Sequence, residues 1–321
     1  AADGDIANSL STDVLQGGKG ETFYLRNVSG DGELSAADFA AIIGVGDNTL
    51  ALSTDNTEDI ALNLTELTGQ DGSDAPPIKG ISAIDLSNVG DNHLTLDASV
   101  TTIFDGTLQI FGDSSDSISL EGDGWRSTGD INQNGNYVYT LSDEENAPAI
   151  EVAASLTRLV QGENGDTLNV LTAQDVVLAS EGDNVVNLVN GLYGSLDGGG
   201  GHDVLHISTN INLKGVSTIV NFDVLELEEG VTVELDADAV RTIAGTAKEG
   251  LKELAVDALV NEAMTLDNWL ALNLSDRDEW NRVGDVQGDV QIGENNSQSI
   301  TMTHGEGADA VQLMILLHSG T

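Results

Sequence analysis

The chain carries 54 Asp and Glu against 11 Lys and Arg, a formal net charge of −43 over 321 residues. Folding brings those carboxylates together, and their mutual repulsion opposes the compact state unless cations enter. The same sequence is 40% apolar, with Val, Ile and Leu interleaved among the acids, so it is not a disordered acidic tail. A folded chain that seats metal ions is the first expectation. Nucleic acid is excluded as a partner on this charge, because phosphates would meet a uniformly negative surface.

Glycine is plentiful at 37 residues, proline is scarce at 3 and aromatics make up 4%. That balance suits many short strands joined by Gly, Asn and Asp turns. The length corresponds to about two domains, or to one elongated array without a single large core. With no cysteine, neither disulfides nor a thiolate zinc site is available. No apolar run is long enough for a membrane-spanning helix, and Ala1 to Leu10 lacks the basic start and apolar core of a signal peptide.

Repetition is visible as pattern. Ser35 to Leu52 and Thr172 to Leu188 share a Ser/Thr-x-x-Asp start, a short apolar stretch and Gly-Asp-Asn before an alternating segment; Gly90-Asp-Asn-His-Leu-Thr-Leu96 repeats the last part. The expected unit is helical turn, tight turn, strand. A second pair joins Gly80–Ile84 with Leu96–Ile103, and Gly215–Ile219 with Leu235–Ile243. Between them, 104–152 reads as hairpins, Thr107–Phe111 with Asp116–Leu120, then Asn134-Gly135 before Tyr137–Leu141. Residues 246–264 place Leu251, Leu254, Ala255, Ala258 and Leu259 on one stripe and predict the one long amphipathic helix. Trp269 and Trp280 fall on a second helical stretch, and Val311–Leu317 reads as a buried or interacting strand. The expected fold is mainly β, an elongated array of short-strand modules, β-solenoid or β-sandwich-like, with short helical turns and one C-terminal helix. Its segments are 1–104, 105–155, 156–245 and 246–321.

Gly198-Gly-Gly-Gly-His-Asp-Val-Leu-His206 fits the calcium nonapeptide G-G-x-G-x-D-x-U-x at every fixed position. Its glycines, Gly199 and Gly201 among them, permit a tight turn whose carbonyls and Asp203 face an ion, while Leu205 points into a core. Oxygen-only ligands suit Ca2+. Leu15–Leu25 and Val160–Val170 are weaker copies with Thr22 and Thr167 where Asp belongs, and ordinary Gly-rich turns are the favoured reading of both. A twelve-residue loop, Asn27 to Asp38, offers oxygen side chains at Asn27, Ser29, Asp31, Ser35 and Asp38 with Gly32 at the sharp turn, either as a calcium loop or as a solvated cap. Catalytic motifs are missing: there is no Cys nucleophile, Gly-x-Ser-x-Gly or His-Glu-x-x-His. His202 and His206 are four apart on a turn and strand, the wrong element for a zinc pair.

The Gly-Asp-Asn strands, the hairpin from Leu120-Glu-Gly-Asp-Gly-Trp125 to Tyr137-Val-Tyr139, the phrase Val220-Asn-Phe-Asp-Val-Leu-Glu-Leu227 and the nonapeptide together resemble the distal regions of large RTX-type bacterial adhesins and RTX-type surface-layer proteins. The resemblance covers about residues 15 to 245, and only Gly198 to His206 is a full motif match. It implies type I secretion without a cleaved leader, folding in extracellular calcium, ion binding at Gly199, Gly201 and Asp203 with Asp197 beside them, and an export signal around Asp309–Leu317. The expected function is a calcium-binding structural protein of the cell surface, in adhesion or extracellular-layer assembly. Its expected partners are its own copies, neighbouring modules, or a cell-surface or host glycan or protein. The alternatives are a self-assembling filament or layer subunit, with Leu313–Leu317 pairing to a neighbour's sheet edge, an RTX-decorated extracellular hydrolase, and a soluble halophilic protein whose acids bind water and salt rather than specific ions.

Overall fold

The computed structural model describes residues 6–7, 14–26, 32–35, 41–53, 58–65, 78–87, 90–104, 106–121, 125–141, 148–163, 165–245, 252–260, 272–274, 280–282, 297–306 and 310–319. It is mainly β, with largely parallel sheets and no closed barrel, and divides into two units, Ala1–Leu159 and Val160–Thr321.

In the first unit the chain visits two parallel sheets in turn. Thr22–Leu25, Ala41–Leu52, Ile78–Asp85 and Thr107–Phe111 are neighbours in one sheet. Glu33–Ser35, Ala61–Leu64, His93–Leu96 and Ser117–Leu120 are neighbours in the other. Each circuit adds one strand to each sheet. Side chains alternate between buried and exposed along these strands, so one face of each sheet packs inward, as period-2 sequences require. Parallel sheets joined by helical crossovers have both faces covered and read as continuous apolar runs; here strands rather than helices make the return. Leu50, Leu62, Ile84, Leu94, Ile110 and Ile118 are fully buried.

The second unit repeats the principle with Thr167–Val170, Val185–Leu188, Val204–Ile207 and Val224–Leu227 in parallel register. Asp175–Leu178, Ser195–Asp197 and Ile219–Val220 are neighbours in a second parallel sheet. Ile211–Asn212, Val233–Leu235 and Leu272–Leu274 form a third. Matching positions on successive coils are 18, 19 and 20 residues apart: Asn169 to Asn187, Asn187 to His206, Asp203 to Asp223.

Several elements differ from the sequence expectation. The predicted long helix is a strand, Lys252–Val260, paired in parallel with Val224–Leu227 on one side and Val311–Ser319 on the other. Its sequence also alternates, and two ready ladders outweigh a weak helical preference. Trp280 likewise lies in a strand, Trp280–Arg282; Trp269 is outside the described residues. The helical start expected at Thr172 fails too, while residues 36–40 of the other lie outside the described residues. Asp175 opens a strand, and its carboxylate closes a single turn by accepting from the Leu171 and Thr172 amides and the Thr172 hydroxyl. Ala41–Ile43 begins a twelve-residue strand.

Helical turns occur instead after Asp97, over Ala98–Thr102, and after Asp236, over Ala237–Ile243, each capped by that aspartate. The Asn134-Gly135 hairpin forms between Arg126–Ile131 and Asn136–Thr140. By contrast, Thr107–Phe111 and Ser117–Leu120 belong to different sheets and make no hairpin. The apolar Val311–Ser319 is paired on both edges, by Lys252–Val260 and by Ser297–His304, so the expected pairing of Leu313–Leu317 with a neighbouring subunit has no open edge to use.

Candidate functional site

Each Gly-Asp-Asn turn makes hydrogen bonds that join one coil to the next. In the first unit Asn92 Oδ1 accepts from the Ile60 amide of the preceding coil at 3.0 Å. The Asp91 amide in turn donates to Asp59 Oδ1 at 2.9 Å. The second unit has the same reciprocal pair. Asp203 Oδ1 accepts from the Asn184 amide at 2.9 Å, and the His202 amide donates to Asp183 Oδ1 at 2.8 Å. One side chain reaches back and the other forward, which sets how adjacent coils stack.

The reaching-back residues form a buried row. In the second unit, the Asp166 amide donates to Asn184 Oδ1, the Asn184 amide to Asp203 Oδ1, and the Asp203 amide to Asp223 Oδ2. In the first, the Asn92 amide donates to Asp116 Oδ1, and Asn48 Oδ1 accepts from Glu21. Asn48, Asn92, Asp116, Asn184 and Asp203 are at most 1% exposed. A buried polar group is tolerated only with partners, and these side chains are the partners of strand-start amides that would otherwise be orphaned.

An asparagine fits this rung because it also donates. Asn92 Nδ2 reaches the Leu86 and Gly90 carbonyls at 3.1 and 3.2 Å, and Asn184 Nδ2 reaches the Gly182 and Ser180 carbonyls at 2.7 and 3.3 Å. An aspartate has no donor to offer while ionised. Asp116 avoids the conflict because its Oδ2 accepts from the Asp113 amide at 2.9 Å. Asp203 does not: its Oδ2 is buried with no hydrogen-bond partner. By register, that oxygen stands where Asn184 places its amide group toward Gly182 and Ser180. Burial pushes the Asp203 carboxyl above its ordinary value, and the nearby Asp183 carboxylate adds to the shift.

The glycines of the nonapeptide serve close stacking. Gly199 has φ +83°, and a Cβ there would sit 2.5 Å from the Ser180 carbonyl oxygen; Gly201 has φ +127°, and its Cβ would sit 2.7 Å from the Gly182 carbonyl carbon. Both conditions exclude other residues. The turn thus lies directly on the preceding one, joined also by a parallel bridge between Glu181 and Gly200. Asp197, expected near the ion, is occupied in holding the turn: its Oδ1 accepts from the Gly199 amide at 3.0 Å and from Asn221 Nδ2 at 2.7 Å.

Of the sequence-derived residues, Asp203, Gly199, Gly201 and Asp197 therefore come together in one turn. Asn27, Ser29, Asp31 and Asp38 lie outside the described residues. Thr22 and Thr167 open strands after Gly-rich turns. Asn92, Asn184, Asp59, Asp116 and Asp183 were not singled out by the motif, although the recurrence of Gly-Asp-Asn was their signal. Among the described residues no group of three or more His, Asp or Glu side chains is arranged to hold a metal ion, and no helix is long and apolar enough to cross a membrane. No family model, curated protein or solved structure matches the chain.

Proposed function

We propose that this chain is a structural, non-catalytic protein of the extracellular space or cell surface, acting in adhesion or in assembly of an extracellular layer, and stabilised by calcium. The observation that carries the reading is the buried, partnerless Asp203 oxygen inside the Gly198–His206 turn. An anionic oxygen at a position built for an amide donor calls for a cation. Asp203 would supply the one carboxylate, and the carbonyls of Gly199 and Gly201, which correspond to those Asn184 reaches at Ser180 and Gly182, would be further oxygen ligands. The ion would supply positive charge where the fold lacks a donor.

A site with a single carboxylate holds Ca2+ weakly, with Kd on the order of 10⁻⁴–10⁻³ M, the range of extracellular modules. Such a site would be filled outside a cell and empty within one. The repeated visits to parallel sheets suit a solenoid-like array in a structural role. The 43 excess negative charges supply a general reason for cations to favour the folded state.

Thermal unfolding with millimolar calcium and with chelator tests this reading. The parent midpoint is expected to rise with calcium, and the Asp203→Asn variant, whose amide can donate to the carbonyls itself, is expected to show a smaller rise. A parent midpoint that does not respond to calcium refutes the coupling.

A further inference from the structure

The two units end in the same way. In the first, the last parallel strand of one of its sheets, Ala149–Ala153, is flanked by Thr107–Phe111 on one side and by the antiparallel Asn136–Thr140 on the other, which pairs in turn with Arg126–Ile131. In the second, Val311–Ser319 is flanked by the parallel Lys252–Val260 and the antiparallel Ser297–His304, which pairs in turn with Trp280–Arg282. In both, the chain makes the hairpin before it returns to lay the last parallel strand inside it. A helical turn capped by Asp97 or Asp236 precedes each arrangement.

The sequence repeats with the topology. Trp125-Arg-Ser-Thr-Gly-Asp-Ile131 and Trp280-Asn-Arg-Val-Gly-Asp-Val286 share Trp, then Gly-Asp and a β-branched residue at the same spacing. The outer strands also carry features that discourage further pairing. Arg126–Ile131 is irregular, its register shifting between Ser127 and Ile131, and the described part of the other outer strand is Trp280–Arg282. Bulges, charges and shortness are the devices by which natural sheets blunt an edge. Of the strands they cover, Ala149-Ile-Glu-Val-Ala153 is short and alternating, whereas Val311-Gln-Leu-Met-Ile-Leu-Leu317 is long, apolar and uncharged, the composition that invites strand addition.

We propose that the two hairpins are copies of one stop element, which covers the outer edge of the last parallel strand in each unit and so prevents that strand from recruiting a second copy of this chain. A second copy is the occupant the edge fits, because each parallel strand already pairs with strands of its own repeat pattern. The stop element closes the sheet it ends to further parallel strands at that edge.

The test uses the full chain with residues 126–140 replaced by a short Gly-Ser linker, which bares the edge of Ala149–Ala153. Light scattering should show the mass rising with concentration to at least twice that of the parent, with strand content retained by circular dichroism. In a second variant, Gly129→Thr with Asp130→Val, the hairpin stays but its outer strand becomes a better strand former, and association should rise above the parent as well. If the first variant does not fold, the second decides. A folded variant that keeps the parent's mass up to millimolar concentration overturns the proposal.

Discussion

A single oxygen separates Asn184 from Asp203 in what each can do. Both sit in the buried row that satisfies strand-start amides, but only the amide also donates to the turn carbonyls. Because the folded-state pKa of Asp203 lies above its ordinary value near 3.8, the folded protein binds this proton more tightly than the unfolded chain. The stability it contributes is full below about 3.8 and is lost as pH rises through the raised value. In chelator, the gain in melting temperature from Asp203→Asn should therefore be largest near neutral pH and shrink as the solution is acidified through that window. Parallel pH profiles for parent and variant would contradict this. The glycines permit a comparison of two costs. Gly199→Ala meets both positive φ and the Ser180 carbonyl, whereas Gly230→Ala meets φ +77° with nothing within 4 Å. The second should cost about 1–2 kcal/mol and the first clearly more, measured by denaturant unfolding.

At the scale of elements, period-2 alternation made the strands legible, since a sheet with one buried face imprints its pattern directly. The Asn-Gly hairpin was legible for the same kind of reason, as its turn needs what Asn and Gly provide. Lys252–Val260 was not. Leu254, Ala255 and Ala258 fit a helical stripe, but Leu254 and Val256 fit an inward row equally well, and only the neighbouring strands choose between them. The Thr172-x-x-Asp175 start misled because its hydrogen bonds do form, around one turn, after which Val176 and Val177 continue as strand. The true helical turns depend on Asp97 and Asp236. Replacing Asp236 by Ala removes the acceptor of the Ala239 amide and should cost about 1 kcal/mol, read as a lower urea midpoint with unchanged m-value. A neutral result would mean that packing alone holds the segment.

For the whole molecule, net charge raised the question of cations, and the arrangement of the turns was only partly visible in the sequence. The sequence pointed to glycine turns as ion seats, and the structure gives most of those turns a different task, joining coil to coil through Asp and Asn side chains. Gly-Asp-Asn was therefore read as a repeat without its reason, because the partner of each side chain lies one coil away in space and 18 to 32 residues away in sequence. One rung, Asp203, departs from that pattern, and the proposed calcium coupling rests on it. The most direct measurement is a calorimetric titration of calcium into the full chain and into Asp203→Asn at neutral pH. The account predicts that the variant, still folded, binds one calcium fewer than the parent; equal stoichiometry in the two proteins would contradict it.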